Sequence, residues 1–351
     1  MIEISILKNN EEPAYSELLN KCNESMIFHS IPFRNLLEEL LSVKSYYIIA
    51  KRYEEIIGAI PAYIKENKQY GNVINSSPFY GSNGGFLVDS RLNFNEKREI
   101  KKKLLQEYND LAIEKNCILS TIITSPLDRD IMFYEENLDY TFRDDRVECL
   151  KEFNKFDGDV DDALMSTMTS RCRRAVRKSI KQGVKFEHSD DFNPLFEMHK
   201  ESISSKGGLV KPLDFFQKVA KLMKGYYELT YAIKDETIIA GLQIFKFKNT
   251  IEYYTPALYL NHADEQGTSL LIFEGMKKAI GNNYKYWNFE GPGESKPSVY
   301  MFKKSWGVDD FPYYFYISKF RDIDPILELE PKEILEKYEW FYVLPFNQLK
   351  R

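Results

Sequence analysis

Cysteine and histidine are scarce in this chain, with four of each among 351 residues. The cysteines are far apart and show no Cys-x-x-Cys spacing; they are Cys22, Cys117, Cys149 and Cys172. The histidines form no pair at the spacing of metal ligands on one helix. We therefore expect reduced thiols, no disulfide framework and no bound metal.

Long apolar runs and a strong charge imbalance are also absent. No apolar run approaches the ~20 residues that span a bilayer, and residues 1–13 lack the charged-then-apolar pattern of a secretion signal. The formal net charge of −5 does not favour DNA or a membrane as a partner, so a polyanion would need a local basic patch. We expect a cytoplasmic protein with no transmembrane segment.

A weak internal repeat indicates two domains, for which the chain is long enough. The strand ending at Ala50 is followed by a charged turn and Gly58, and the strand ending at Ala232 is followed by a charged turn and Gly241. Hairpins alternating with helices favour mixed sheets covered by helices. We predict α/β (α+β) domains at residues 1–156 and 157–351. Such strand–turn–strand units are common, so the repeat could also arise by chance in any α/β protein.

The stretch from Tyr226 to Ile317 has the most informative order of elements. Three strands precede a loop, an apolar helix, a short strand and a glycine-containing turn; they are predicted at 226–234, 237–247, 250–258, 261–267, 268–280, 285–290 and 291–293. Phe302-Lys303-x-x-Trp306-Gly307 follows. This order and motif resemble the C-terminal half of the Fem-type peptidyl and aminoacyl transferases and related GNAT-like acyltransferases.

The resemblance implies a fold and a reaction. It implies tandem GNAT-like (acyl-CoA N-acyltransferase-like) domains with the active site in the second domain. It further implies aminoacyl or acyl transfer to an amine of a cell-envelope precursor, nucleotide-sugar or lipid-linked, for peptidoglycan or surface polysaccharide. No cofactor would be permanently bound.

Lys303 and Glu290 are the candidate catalytic residues. A lysine among aromatic neighbours can stabilise the oxyanion that develops when an amine attacks an ester or thioester, and the resemblance places the lysine of this motif at the active site. Alternatively, its stem packs on Trp306 while its ammonium group stays in water. Glu290, predicted at the end of the strand 285–290, is the carboxylate best placed to accept a proton from the amine; the alternative is a structural role.

A basic helix is the clearest charge feature, within a helix predicted over residues 162–182. Arg171, Arg174, Lys178 and Lys181 share one face at helical spacing. The diphosphate of a nucleotide sugar or the acceptor end of a tRNA would offset their mutual repulsion. The alternative is a solvated face paired with acidic residues elsewhere.

Four further residues are candidates for substrate binding. Tyr254 lies on a strand that would line the cleft of a GNAT-like fold. Tyr80 and Asn83 lie in a glycine-rich loop that can present backbone N–H groups to an anion, although such loops are often only turns. Arg34 matches a region that contacts the precursor in Fem-type enzymes.

The sequence of residues 261–269 bears on which acyl donor the protein uses, coenzyme A or aminoacyl-tRNA. Enzymes that bind coenzyme A usually carry Arg/Gln-x-x-Gly-x-Gly/Ala, whose backbone holds the pyrophosphate at a helix N-terminus. Here a single glycine, Gly267, follows Asp264 and Glu265. We therefore expect aminoacyl-tRNA as the donor. A coenzyme A-dependent N-acyltransferase for an amino sugar or other amine, and a non-catalytic binding protein on the same fold, are the alternatives.

Overall fold

The computed structural model describes residues 1–79, 83–153, 159–205, 209–292 and 297–349. The chain forms two compact units, residues 1–146 with 312–351, and residues 147–311. This division differs from the boundary expected at 156/157. The chain leaves the first unit inside a strand that begins at Phe142, and residues after Phe311 return to pair with a strand of the first unit.

The first unit contains the elements up to residue 146. They are β1 (Ile2–Ile6), α1 (Glu12–Lys21), α2 (Ile31–Leu41), β2 (Lys44–Ser45), β3 (Ile48–Arg52), β4 (Glu55–Ile60), β5 (Tyr63–Lys65), β6 (Asn72–Asn75), β7 (Leu87–Val88), α3 (Phe94–Glu114), β8 (Cys117–Ile123), α4 (Ile131–Asn137) and the start of β9 (Phe142–Glu152). Strands β1, β3, β4 and β7 form an antiparallel sheet. Helix α3 lies so close to it that a Cβ on Gly58 would stand 2.5 Å from Ile100.

The second unit contains the rest of β9 and the elements that follow it. They are α5 (Val160–Ser166), α6 (Ser170–Lys181), β10 (Lys185–Ser189), α7 (Asn193–Ser204), α8 (Leu213–Leu222), β11 (Tyr227–Lys234), β12 (Thr237–Phe247), β13 (Thr250–Leu258), α9 (Gly267–Gly281), β14 (Tyr286–Asn288), α10 (Pro297–Lys304) and the start of β15 (Asp309–Lys319). Its strands pair in the order β10-β11-β12-β13-β14-β9, with β13 and β14 parallel and the other pairs antiparallel.

The chain then returns to the first unit. There β15 pairs antiparallel with β8, which pairs parallel with β6, and β5 and β2 continue this second, mixed sheet. The short helices α11 (Asp324–Leu327) and α12 (Pro331–Lys337) follow. No helix in the part of the chain that the structure describes is long and apolar enough to cross a membrane.

The helix expected over residues 162–182 is two helices, α5 and α6. The hydroxyl of Thr169 accepts a hydrogen bond from the backbone N–H of Cys172 and so caps the start of α6. Serine and threonine favour this capping position because their oxygen satisfies an N–H that has no partner within the helix. The basic face therefore lies on a short, separately capped helix.

Strand β13 extends six residues beyond its parallel neighbour β14. Their parallel pairing ends at Glu252 and Asn288, whereas β13 continues to Leu258. Opposite β12, the partner of Gln243 is Thr255 and the partner of Ile244 is Tyr253, which leaves Tyr254 as an extra, bulged residue. Bulges of this kind redirect side chains and are frequent beside active sites.

The Trp-Gly end of the motif is held by a buried lysine. Trp306 is fully buried, and the Nζ of Lys151 donates to the carbonyls of Trp306 and Gly307 and to the hydroxyl of Thr167, at 3.0, 3.1 and 2.7 Å. Gly307 has a φ of +70°, and a Cβ there would stand 2.2 Å from the Thr167 carbonyl oxygen. Only glycine fits this position without strain.

Candidate active site

Asn288, the last residue of β14, connects two buried carboxyl groups. Its amide nitrogen donates to Glu148 Oε2 on β9 at 2.5 Å and to Glu252 Oε2 on β13 at 2.8 Å. The three side chains come from adjacent strands because Glu252 pairs with Asn288 and Leu150 pairs with Asn288 from the other side. Each of the three is at most 1% exposed.

Glu290 lies in a tight turn just after this cluster. Its φ of +58° is left-handed, and its backbone N–H donates to Asn288 Oδ1 at 2.8 Å. The strand therefore ends at Asn288, two residues earlier than expected, because the turn removes Glu290 from the strand. The Oε1 atom of Glu290 is buried and has no hydrogen-bond partner among the described residues.

Lys303 is buried on α10 and contacts the same turn. Its Nζ donates to the carbonyl oxygens of Glu290 and Gly291, at 2.9 and 2.7 Å, and only 6% of the residue is exposed. The alternative of an ammonium group in water is therefore not what the structure shows. An ammonium has three N–H donors; two hold the turn, and the third has no acceptor among the described residues and is available to a substrate atom.

Lys211, just before α8, is a second buried lysine of this site. Its Nζ donates to the Tyr254 carbonyl at 3.2 Å and to the Thr255 hydroxyl at 3.0 Å, and it lies 3.8 Å from the centre of the Tyr254 ring. Its backbone N–H donates to His199 Nε2, which fixes the loop before α8. Lys211 thus contacts β13, and Lys303 contacts the turn after β14.

Burial governs the protonation of these groups. It raises the pKa of Glu290 to about 7, although Lys211 and Lys303 lower it. Burial also raises the pKa of Glu148 to about 8 and that of Glu252 well above its ordinary value. It lowers the pKa of Lys211 to about 8, against the effect of Glu290, and it lowers the pKa of Lys303. Of these three buried carboxyl groups, Glu290 has the lowest pKa and ionises first as the pH rises.

This arrangement suits acyl transfer to an amine. A partly ionised carboxylate with a free oxygen can accept a proton, and an ammonium N–H in a buried site can stabilise an oxyanion. The nearby thiols are poor nucleophiles because burial raises the pKa of Cys149 and of Cys172 to about 11 each. The site therefore favours direct attack by the amine over a covalent enzyme intermediate.

The basic helix exposes its cations on one face. At 3.6 residues per turn its five exposed cations fall within about 120° of arc; they are Arg171, Arg174, Arg177, Lys178 and Lys181. Lys178 pairs with Asp264 at 3.3 Å. Within the described ranges the other four make no ion pair. Their role in binding a polyanion stays a prediction.

The remaining predicted residues lie in different places. Tyr254 is buried at the bulge under Lys211. Asn83 is fully buried in the first unit, and Tyr80 lies outside the described residues. Arg34, also in the first unit, pairs with Glu12 at 2.5 Å and lies 5.7 Å from the Tyr47 ring centre. A structural contact thus already engages Arg34, and the binding roles of all four stay predictions.

Sequence reasoning missed Glu148, Glu252, Asn288 and Lys211. Each carboxyl residue is a single acid within an otherwise apolar strand sequence, Val147-Glu148-Cys149-Leu150 and Ile251-Glu252-Tyr253-Tyr254. An acid that the strand pattern predicts to be buried is the signal that could have found them, because charged groups are seldom buried without a reason.

The loop before α9 is a 3-10 helix over Leu260–Glu265. Its two acids have basic partners: Asp264 pairs with Lys178, and Glu265 approaches Lys234 within 3.7 Å. These contacts offset part of the repulsion that the sequence predicts toward a pyrophosphate. The electrostatic argument against coenzyme A is therefore weaker in the folded protein than in the sequence.

Comparison with known proteins identifies the type of domain. A family model described as an acetyltransferase (GNAT) domain matches residues 166–303, a span within the second unit that includes Lys211, Glu290 and Lys303. None of the curated proteins matches the sequence.

Solved structures share the fold of nearly the whole chain. FemX is 15% identical with a TM-score of 0.71, covering 93% of this chain and 99% of its own. A tandem GNAT protein from the clavulanic acid biosynthesis pathway is 9% identical with a TM-score of 0.54, covering 92% and 100%. The C-terminal domain of a putative lysylphosphatidylglycerol synthetase from Agrobacterium fabrum is 11% identical with a TM-score of 0.55, covering 91% and 97%.

These findings confirm the resemblance to Fem-type and GNAT-like proteins and the tandem α/β fold. The chain carries an acyltransferase domain of the GNAT type.

Proposed function

We propose that this protein transfers an aminoacyl or acyl group to an amine of a cell-envelope precursor. One observation carries the proposal: the Lys303 ammonium is held by the carbonyls of Glu290 and Gly291, and a buried oxygen of Glu290 has no hydrogen-bond partner in the described part of the chain. The names of two structural relatives, FemX and a putative lysylphosphatidylglycerol synthetase, support the envelope as the setting of the acceptor.

The chemistry follows from these groups. The amine attacks the carbonyl carbon of the donor ester or thioester, and Glu290 takes a proton from the amine. The third N–H of Lys303 donates to the oxyanion of the tetrahedral intermediate, and Lys211, whose ammonium group is held against β13, offers a second N–H. The intermediate then expels the leaving oxygen or sulfur, which takes up a proton, and the amide product forms.

Aminoacyl-tRNA is the donor that we favour. Four cations of α6 lack ion-pair partners in the described part of the chain, and a surface of that kind fits a polyphosphate backbone better than a small metabolite. The acceptor would be a nucleotide-sugar or lipid-linked envelope precursor.

Acyl-coenzyme A is the second candidate donor. The matched family model is an acetyltransferase domain, and the ion pairs of Asp264 and Glu265 reduce the charge obstacle before α9. A surface-polysaccharide amino sugar would then be a suitable acceptor.

The test is a transfer assay with both donors. Wild-type protein receives a pool of charged tRNAs or acetyl-coenzyme A, with muropeptide or amino-sugar precursors as acceptors. Lys303→Met should reduce transfer at least about 100-fold, the typical effect of removing one oxyanion donor. Lys304→Met is the matched control because Lys304 is adjacent but contacts Val308 and Asp310 instead. Donor binding without transfer from either donor would favour the non-catalytic binding protein.

A further inference from the structure

The second unit contains a cavity that the mechanism above does not use. Its volume is about 280 Å³, and its walls come from α9 and from the strands that this helix covers. Trp287 lines the cavity, whereas the next residue of β14, Asn288, binds Glu148 and Glu252. Because consecutive side chains of a strand point to opposite faces of the sheet, the cavity and the Asn288 amide lie on opposite faces.

The buried part of the cavity lining is apolar. Four side chains that are at most 7% exposed contribute to it: Leu242, Ile244, Leu271 and Trp287. At the surface, Phe186 also lines the cavity and is 42% exposed. The volume is near the lower end of the range of about 300–1,000 Å³ that is usual for ligand sites, so the lining suits a small ligand with a hydrocarbon or aromatic group.

One part of the cavity mouth has more positive than negative charge. The Nζ of Lys278 lies 2.9 Å from both carboxylate oxygens of Glu228, and the Nζ of Lys246 lies 3.3 Å from one of them. Two ammonium groups thus share one carboxylate. The Nζ of Lys278 also lies 3.3 Å from His188 Nε2. The side chains of Lys278 and His188 are 48% and 54% exposed, so an incoming carboxylate can reach them.

Another part of the mouth has the reverse composition. The Nζ of Lys277 lies 2.9 Å from Asp161 and 3.4 Å from Glu274, so one ammonium group is shared by two carboxylates. Glu274 lines the cavity and is the more distant of the two partners, so it can also accept from the ammonium group of a ligand. Glu274 and Lys278 are four residues apart on α9, and their side chains are therefore neighbours on the helix surface.

We propose that this cavity binds a free α-amino acid whose apolar side chain is about the size of that of phenylalanine. The apolar side chain packs on the buried lining, the carboxylate meets Lys278 and His188, and the ammonium group meets Glu274. The two opposite charge excesses, on neighbouring positions of one helix, match the two charges of a zwitterion. A simple acid or a simple amine would match only one of them. The site is independent of the proposed function.

Calorimetric titration of the full chain with four compounds tests the class of ligand. L-Phenylalanine has all three groups, 3-phenylpropionate lacks the ammonium group, 2-phenylethylamine lacks the carboxylate and glycine lacks the side chain. L-Phenylalanine should bind with a dissociation constant of about 1 mM or lower, as suits a ligand of about twelve non-hydrogen atoms. Each of the other compounds should bind at least about five-fold more weakly. No saturable binding of L-phenylalanine, or equal binding of the two singly charged compounds, would overturn the proposal.

Two variants test which residue meets which charge. Lys278→Gln should weaken binding of L-phenylalanine at least about five-fold without weakening that of 2-phenylethylamine, which has no carboxylate. Glu274→Gln should weaken L-phenylalanine similarly without weakening 3-phenylpropionate. Lys319→Gln is the matched control, because Lys319 is 41% exposed and approaches Asp322 in the first unit. Unchanged binding of L-phenylalanine in either variant, or equal losses for the zwitterion and the singly charged compound, would contradict the assignment.

A last comparison separates this cavity from the candidate active site. Lys303→Met, which alters the active site, should leave the affinity for L-phenylalanine unchanged. The chain has three tryptophans, and in nitrogen-15 NMR spectra the indole signal of Trp287 should shift more than those of Trp306 and Trp340. Loss of binding in Lys303→Met, or an unmoved Trp287 signal, would remove the site. Both measurements need no acyl donor, so a protein that transfers nothing could still confirm the site, and an active protein could still lack it.

Discussion

The buried lysines compared here differ in their partners: one in the first unit forms ion pairs, and two in the second unit are held by neutral groups. In the first unit, buried Lys101 lies 3.3 Å from Asp128 and 3.6 Å from Asp130, and the Tyr134 hydroxyl donates to Asp128 at 2.9 Å. In the second unit, buried Lys211 and Lys303 donate to carbonyl and hydroxyl oxygens and make no ion pair with a described residue. Glu252 and Glu290 each keep a buried oxygen without a partner in the same described ranges.

Under the proposed function, this difference distinguishes charges that stabilise the fold from charges that serve the reaction. A buried charge that meets its counter-ion contributes to one stable fold, and removing one partner leaves the other charge exposed to a low dielectric. A buried charge held by neutral groups keeps its hydrogen-bonding and proton-transfer capacity for a substrate. Perturbed ionisable groups of this second kind cluster at catalytic sites.

The largest expected effect is the loss of stability when the buried ion pair of the first unit is removed. Lys101→Met should lower the free energy of unfolding by about 3–5 kcal/mol because it leaves Asp128 unpaired, with little change in transfer by the molecules that remain folded. Lys211→Met leaves no buried carboxylate without its counter-ion but takes the donor from two buried acceptors, so we expect a smaller loss, about 1–2 kcal/mol, together with a loss of transfer. Chemical denaturation of both variants measures this, and equal destabilisation would remove the distinction.

Glu290→Gln should reduce transfer about 100-fold, a typical effect of losing a general base. In the wild type, the rate should rise with pH through about 7 as Glu290 ionises. It should fall above about 8 as Lys211 loses its proton. The variant should lose the acid limb and keep the alkaline one.

Initial rates between pH 5.5 and 10 reveal this pattern. Glu187→Gln, at an exposed glutamate of β10, is the control. An acid limb that persists in Glu290→Gln would assign the proton to another group.

Lys151 is a third buried lysine of the second unit and differs from Lys211 and Lys303, because all three of its N–H groups have acceptors. Lys151→Met should lower the free energy of unfolding by about 2 kcal/mol at pH 10.5, where the neutral amine of Lys151 still donates two hydrogen bonds to these acceptors and the variant donates none. Burial lowers the pKa of Lys151 from 10.5 to about 8.

The lowered pKa of Lys151 predicts the direction in which the free energy of unfolding changes with pH, and denaturation at several pH values can measure it. Between about pH 8 and 10.5 the unfolded chain binds a proton that the folded chain does not, so the wild type gains stability as pH rises. The Met variant lacks this contribution. The difference between the two proteins should therefore widen toward pH 10.5, and a constant difference would mean that Lys151 stays charged when folded.

The smallest effect concerns the basic face of α6. Arg174→Glu should weaken binding of uncharged tRNA several-fold at 50 mM salt and reduce the dependence of affinity on salt by about two charges. Lys332→Glu, at a lysine of α12 that is 89% exposed, is the control. Fluorescence anisotropy measures tRNA binding by both variants. Equal losses of affinity would indicate only a nonspecific effect of net charge.

The sequence was sufficient for those parts of the site that lie in one local segment. Lys303 stands in a motif whose Trp306 enters the core and whose Gly307 fits a position closed to larger residues. Glu290 directly precedes a glycine. The motif around Lys303 and this Glu-Gly pair are both visible in the local sequence. The pattern of strands and helices likewise predicted the tandem α/β fold, since hydrophobic periodicity is a local property.

The sequence did not predict the contacts that long-range folding creates. Asn288 and Glu148 are 140 residues apart, and nothing in either segment shows that they meet. Lys211 follows a stretch of loop composition, so its burial depends on the packing of α7 and α8 against the sheet. The bulge at Tyr254 is also a register effect, which depends on the partner strand.

The most direct test compares stability and turnover in Lys303→Met. A lysine kept for a substrate should contribute no more than its two hydrogen bonds to carbonyls, about 1–2 kcal/mol of the free energy of unfolding, while transfer falls at least about 100-fold in the variant. A variant destabilised by about 3 kcal/mol or more that still transfers at the wild-type rate would show that Lys303 is structural, and it would contradict the assignment of the active site.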